Sequence, residues 1–132
     1  MPEFEMKDSG ERSEYETGAV RENDYGRGAF ELISPFALKR LAVIYQKGSH
    51  KYPARNWEKG IPMSRVIRSA LRHINDYLTG DRSEDHLACA AWNLCALIHY
   101  TSLLDMGKLP KEIDDLPKYI SEDYQACPDT TE

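Results

Sequence analysis

The sequence predicts an all-α protein, a small helical bundle preceded by a loop-rich N-terminal segment, on three observations. Apolar residues recur at three-and-four spacing along three long stretches. Each stretch is bounded by residues that cap or break helices. No stretch keeps the period-of-two alternation that a half-buried strand needs.

Residues 1 to about 16 are rich in Glu, Asp, Lys and Ser and nearly bare of apolar anchors, which predicts a flexible arm, ordered only under another subunit. From Thr17 to Ile33 glycines interrupt a stretch without helical or strand periodicity, an ordered loop. The first helix is expected from Pro35 to Lys47. Ser34 suits its N-cap, Pro35 its first turn and Gly48 its exit, while Phe36, Leu38, Leu41, Ala42 and Tyr45 keep helical spacing. A loop dense in aromatic and hydrogen-bonding side chains follows, from Ser49 to Gly60.

The second helix starts near Pro62 or Ser64 and ends before Gly80, with Val66, Ile67, Ala70, Leu71, Ile74 and Leu78 as its buried stripe. After the short turn Thr79–Arg82, Ser83 offers an N-cap for a third helix running to about Asp105. That helix is apolar on nearly every side from Leu87 to Leu104, so it is expected to be central and the most buried. The short turn makes the second and third helices an antiparallel hairpin. Past Gly107 the chain is rich in proline and acid, with one short helix and a frayed end. The organisation is thus an arm over 1–16, a helical catalytic domain over 17–107 and an extension over 108–132.

Composition narrows the function. With 132 residues the chain has length for one core, and 41% hydrophobic with 30% charged residues is an ordinary globular balance. A net charge of -5 with no dense Lys/Arg block argues against nucleic acid as partner. An acidic chain still binds a polyphosphate when a divalent ion bridges carboxylates to phosphate oxygens. Unbroken apolar runs are short and the N-terminus is acidic, so neither a membrane span nor a secretory signal is expected. Cys89, Cys95 and Cys127 form no CxxC pair, which fits reduced thiols in a cytoplasm. The motifs of P-loop enzymes, HExxH metalloproteases, GxSxG hydrolases and dinucleotide-binding folds are missing from the sequence.

The chemistry-bearing residues gather around the expected hairpin. His73 and Asp76, three apart, share an edge of the second helix; Asp85 and His86 open the third, and Asn93 lies two turns beyond His86 on the same face. Folding brings His73, Asp76, Glu84, Asp85 and His86 toward one small volume. Hard divalent ions such as Mg2+ or Mn2+ favour carboxylate oxygen, so Asp76, Glu84 and Asp85 are the expected metal ligands. His73 or His86 would orient water or meet phosphate. Plainer readings compete: acids after an N-cap complement the helix dipole, and a buried Asn93 can simply tie two helices together. In the aromatic loop, Tyr52 and Trp57 would stack on a purine while Lys51, Arg55 and Lys59 meet phosphates; alternatively Trp57 only plugs the core. His99 reads as structural, and Cys89 and Cys95 as small core fillers.

Taken together, the blocks Thr17-Gly18-Ala19-Val20-Arg21-Glu22, Phe30-Glu31-Leu32-Ile33, Lys51-Tyr52, Arg55-Asn56-Trp57, Leu71-Arg72-His73, Glu84-Asp85-His86-Leu87 and Trp92-Asn93 resemble the phage dATP/dGTP diphosphohydrolases of MazZ type. The resemblance covers about Thr17 to Tyr100. It implies a MazG-like helical oligomer that cleaves a purine deoxynucleoside triphosphate to monophosphate and pyrophosphate with Mg2+ or Mn2+, in some phages supplying dGMP for 2-aminoadenine synthesis. The candidate substrate-binding residues are Arg21, Lys51, Tyr52, Arg55, Asn56, Trp57 and Asn93, and the candidate catalytic residues are His73, Glu84, Asp85 and His86. One departure is plain: no helix carries the ExxE…ExxD metal pattern of MazG relatives, since Leu87 stands three residues after Glu84. Glu84, Asp85 and His86 are the expected counterpart. A different class of reading, a non-catalytic helical module that senses a nucleotide or binds a host factor, draws its support from that departure. Three helices make a thin core, so a homo-oligomer is expected.

Overall fold

The computed structural model describes residues 3–8 and 10–120, and the elements in it are mostly helical, as the sequence predicts. Cys127 and the chain end expected to fray lie outside the described residues. The chain divides into two compact units, one up to Ser34 and one from Pro35 onward.

In the first unit, two short strands, β1 (Arg12–Glu14) and β2 (Val20–Glu22), pair antiparallel with Ser13 opposite Arg21. Sequence periodicity does not reveal them, because three-residue strands with mostly exposed side chains have no alternation to display. The turn between them does carry a signal. Gly18 adopts φ +85°, and hydrogen bonds from Gly18 N to Tyr15 O and from Tyr15 N to Ala19 O close the hairpin. A single 3-10 turn follows at Phe30–Leu32.

The second unit holds α1 (Pro35–Ser49), α2 (Met63–Leu78) and α3 (His86–Asp105), with 3-10 turns at Asn56–Lys59 and Lys111–Ile113. Helix α3 packs on both α1 and α2. Contacts between α2 and α3 run in opposite chain directions: His73 meets His86, Ser69 meets Asn93, and the Tyr100 hydroxyl accepts a hydrogen bond from Ile61 N, just before α2. That order establishes the antiparallel hairpin. Met63, Val66, Ala96, Leu97 and Tyr100 form the core, with Trp57, Trp92 and Leu104 against it.

Two expectations change. Helix α3 begins at His86, not after Ser83, because Asp85 takes the N-cap and its carboxylate accepts from Ala88 N. Also, α3 carries most of the buried residues but is not buried all round. Leu87, Leu94 and Ile98 are exposed on one side of it, as are Leu71, Ile74 and Leu78 on α2. By length and composition alone α3 is apolar enough to cross a membrane. Its buried His86, Asn93 and Tyr100, each bonded to another part of the chain, are features of a bundle's core helix.

The segment after Gly107 contributes to this unit's packing. Leu109, Ile113 and Leu116 lie against the core, and the Asp115 carboxylate accepts from Ser64 N and Ser64 Oγ at the start of α2. Gly60, at φ +105°, permits this approach: a Cβ there would stand 3.3 Å from Ile113 Cγ2 and 3.7 Å from Leu109 Cδ2. Gly60→Ala is therefore expected to destabilise the protein by about 1–3 kcal/mol, seen as a lower urea midpoint with unchanged helicity in the folded baseline.

Candidate active site

The end of α2 and the start of α3 meet through two imidazoles. His73, on the core side of α2, and His86, the first residue of α3, are both buried, and their Nδ1 atoms lie 2.9 Å apart. One ring must donate and the other accept, so the contact fixes complementary protonation on the two Nδ1 atoms. Burial holds the pKa of His73 below the usual imidazole value. On the far side of its ring, His86 Nε2 is 3.2 Å from Asp81 Oδ2, yet it makes no hydrogen bond of acceptable geometry. Hydrogen bonds from the Ser83 backbone and side chain bring the Asp81 carboxyl down to about 2.

Of the three expected metal ligands, Asp85 is the most committed elsewhere. Its two oxygens receive Arg40 Nε at 2.8 Å and Arg40 Nη2 at 2.6 Å, and Oδ1 also takes Ala88 N at 3.2 Å. The Arg40 guanidinium is the main reason that its carboxyl lies below the ordinary value. This bidentate pair ties α1 to the start of α3. Two sets of ligand atoms do converge, each within 4.8 Å of one another: His73, Glu84 and His86 in one, Asp76, Asp81 and His86 in the other. Asp76 and Glu84 thus sit in different sets that share His86. Asp81 was not singled out from the sequence; the available signal was the Asp81-Arg82-Ser83 turn, in which Asp81 Oδ1 accepts from Ser83 N. Mixed carboxylate and imidazole donors around the orphaned His86 Nε2 fit a divalent ion.

Beside this corner lie two adjoining cavities. The first, about 410 Å³, has aromatic walls from Tyr45, Tyr52, Trp57 and Trp92, with Lys51, Asn56 and Cys89 also lining it. Tyr45, Trp57 and Trp92 form a mutual cluster with ring centroids 5.8–6.1 Å apart. Trp57 therefore serves the core and the cavity wall together. The second, about 350 Å³, is a polar cleft bordered by Arg40, Tyr77, Arg82 and His86. Lys47, Ser83, Glu84 and Asp85 line both, so an apolar chamber opens onto a charged one across the N-terminus of α3. Neither Arg40 nor Lys47 stood out in the sequence, since α1 reads there as an ordinary amphipathic helix.

The remaining candidates separate. Lys51, Tyr52, Asn56 and Trp57 line the aromatic cavity, whereas Arg55 pairs with Glu58 on its own 3-10 turn. Buried Asn93 donates to Cys89 O at 2.8 Å and to Ser69 Oγ at 3.3 Å, linking α3 to α2. Arg21 belongs to the first unit, on β2. His99 packs edge-on against Trp57. Cys89, whose thiol burial pushes up, is a poor nucleophile.

The His73 environment has a pH consequence. Its folded pKa is depressed, so the unfolded chain takes up a proton first as pH falls below the ordinary imidazole value. The corresponding stability is whole above that value and declines below it. Melting temperatures measured between about pH 5 and 8 should fall toward acid, and His73→Gln should flatten the decline; an unchanged slope in that variant would contradict the assignment.

Among curated proteins and among solved structures, no match was found. Residues 17–108, well over half of the chain, match the model of a family described as dATP/dGTP diphosphohydrolase, N-terminal. The span takes in the three helices, the aromatic cavity and the imidazole–carboxylate corner, and the chain belongs to the dATP/dGTP diphosphohydrolase family.

Proposed function

We propose that the chain hydrolyses a purine deoxynucleoside triphosphate, dATP or dGTP, to the monophosphate and pyrophosphate with a divalent cation, Mg2+ or Mn2+. The observation that carries this reading is the shared border of the two cavities: Lys47, Ser83, Glu84 and Asp85 separate an aromatic chamber from a charged cleft. A purine would stack among Tyr52, Trp57 and Trp92, with the Asn56 amide available to its edge. The triphosphate would then cross toward Lys47, Arg40 and Arg82, which are the cations of the cleft.

Asp76 is the carboxylate we assign to the cation, with His86 beside it, while Glu84 belongs to the other set of ligand atoms around His86. Asp85 acts chiefly by holding Arg40 and capping α3. When bound, a divalent ion neutralises the phosphate charge that grows as the leaving group departs. Water attacks the α-phosphorus, a new P–O bond forms, the bond from that phosphorus to the bridging oxygen breaks, and pyrophosphate leaves. Glu84, which borders both cavities, would accept the proton lost by water. His73 holds the ring of His86 in place. The monophosphate is then free for nucleotide metabolism, including 2-aminoadenine synthesis in a phage that uses it.

A panel of nucleoside triphosphates incubated with Mg2+, Mn2+ or chelator tests the reading. Turnover is expected for purine deoxynucleotides and is lost with chelator. Glu84→Gln should lower kcat by about two orders of magnitude, and Tyr52→Ala should raise KM about tenfold with helicity intact. No turnover by the folded protein under any condition would favour a nucleotide-binding module instead.

A further inference from the structure

The imidazole–carboxylate corner has a feature that the hydrolytic reading leaves unused. His86 is 2% exposed, and its Nε2 has no hydrogen-bond partner although Asp81 Oδ2 stands only 3.2 Å away. A buried nitrogen lone pair facing a carboxylate oxygen is repulsive unless a proton or a cation lies between them. The other ring nitrogen is already engaged, with His73 Nδ1 at 2.9 Å. With the proton on His86 Nδ1 donated to His73, Nε2 presents its lone pair outward toward Asp81, and the ring is fixed as metal-binding imidazoles are fixed by their second nitrogen.

The carboxylates facing that nitrogen are themselves held. Asp81 Oδ1 accepts from Ser83 N at 2.8 Å, which leaves Oδ2 toward the ring. Arg82 Nη1 donates to Tyr77 O and Asp81 O, and its guanidinium lies 3.9 Å from the Tyr77 ring centroid, which fixes the turn that carries Asp81. Asp76 completes the set, and its ion pair with Arg72 is a long one of 3.9 Å. Ligand atoms of Asp76, Asp81 and His86 all fall within 4.8 Å of one another, and both aspartates reach solvent, so water can fill the remaining coordination positions.

We infer that Asp76, Asp81 and His86 Nε2 form a binding site for a first-row transition ion such as Mn2+, with His73 as the positioning residue that aims His86. One nitrogen and two oxygens distinguish it from an all-oxygen Mg2+ site, because imidazole suits transition ions whereas Mg2+ prefers oxygen and its own water. The inference adds Asp81 and a choice of ion to the hydrolytic reading. It rests on that reading only for the cation's part in turnover, since binding itself needs no nucleotide.

The test is titration of the intact, nucleotide-free chain with Mn2+, followed by electron paramagnetic resonance. One bound ion per chain is expected, with the nitrogen modulation of a coordinated imidazole in the pulsed spectrum. Bound Mn2+ should resist Mg2+ in excess on the order of 100-fold. Asp81→Asn keeps an acceptor for Ser83 N but removes the charge, and should weaken Mn2+ binding by about tenfold or more; Asp76→Asn should do the same, each with unchanged circular dichroism. Absent binding, binding without nitrogen modulation, displacement by equimolar Mg2+, or unaltered affinity in both folded variants would each overturn the site. A chain that binds Mn2+ in the expected way but cleaves no nucleotide keeps the site and refutes the hydrolytic reading.

Discussion

The contact between His73 and His86 sets the geometry on which the rest of the second unit depends. Two imidazoles taken out of water at the junction of α2 and α3 must satisfy each other, and they do so in one register only. Sliding α3 along α2 by a turn would bury two unpaired polar rings, at a cost of roughly 1–3 kcal/mol each. The Asn93 amide repeats the constraint two turns further on, through Ser69, and the Tyr100 hydroxyl does so at the other end, through Ile61 N and Trp57 O. Between these polar rungs lies the apolar core of Met63, Val66, Ala96, Leu97 and Tyr100, with Trp57, Trp92 and Leu104 against it. Polar pairing specifies the hairpin, and apolar packing supplies its stability.

That register also brings functional groups from distant parts of the chain to one end of α3. Arg40 comes from α1 to the Asp85 cap, Trp57 comes from the loop to the wall beside Trp92, and the Asp81 turn closes over His86. The outcome is an aromatic chamber and a charged cleft with a common border. Membership of the dATP/dGTP diphosphohydrolase family gives that arrangement a chemical context: a substrate with an aromatic base at one end and a polyphosphate at the other.

Much of the helical framework was legible because it depends on local signals. Pro35, Gly80 and the three-and-four spacing of Val66, Ala70 and their neighbours mark helices whatever else the chain does. The start of α3 moved by two residues because Ser83 and Asp85 are both good caps, and the one whose carboxylate also meets Arg40 holds the position. His73 and His86 could each be singled out, but their mutual contact is a property of register, which periodicity does not encode. Arg40 was invisible for the same reason: its partner lies 45 residues away. Asp81 reads as an ordinary turn residue until the fold sets His86 beside it. The packing of Leu109 and Ile113 around Gly60 was hidden by the proline- and acid-rich character of that segment.

The most direct test of the account is which phosphorus–oxygen bond breaks. Purified protein is incubated with dGTP and, separately, dATP in the presence of Mg2+ or Mn2+; chelator is added, and the phosphorus NMR spectrum of the products is recorded. The account predicts deoxynucleoside monophosphate and pyrophosphate in equal amounts. Diphosphate with inorganic phosphate, or a triphosphate released whole, would contradict it.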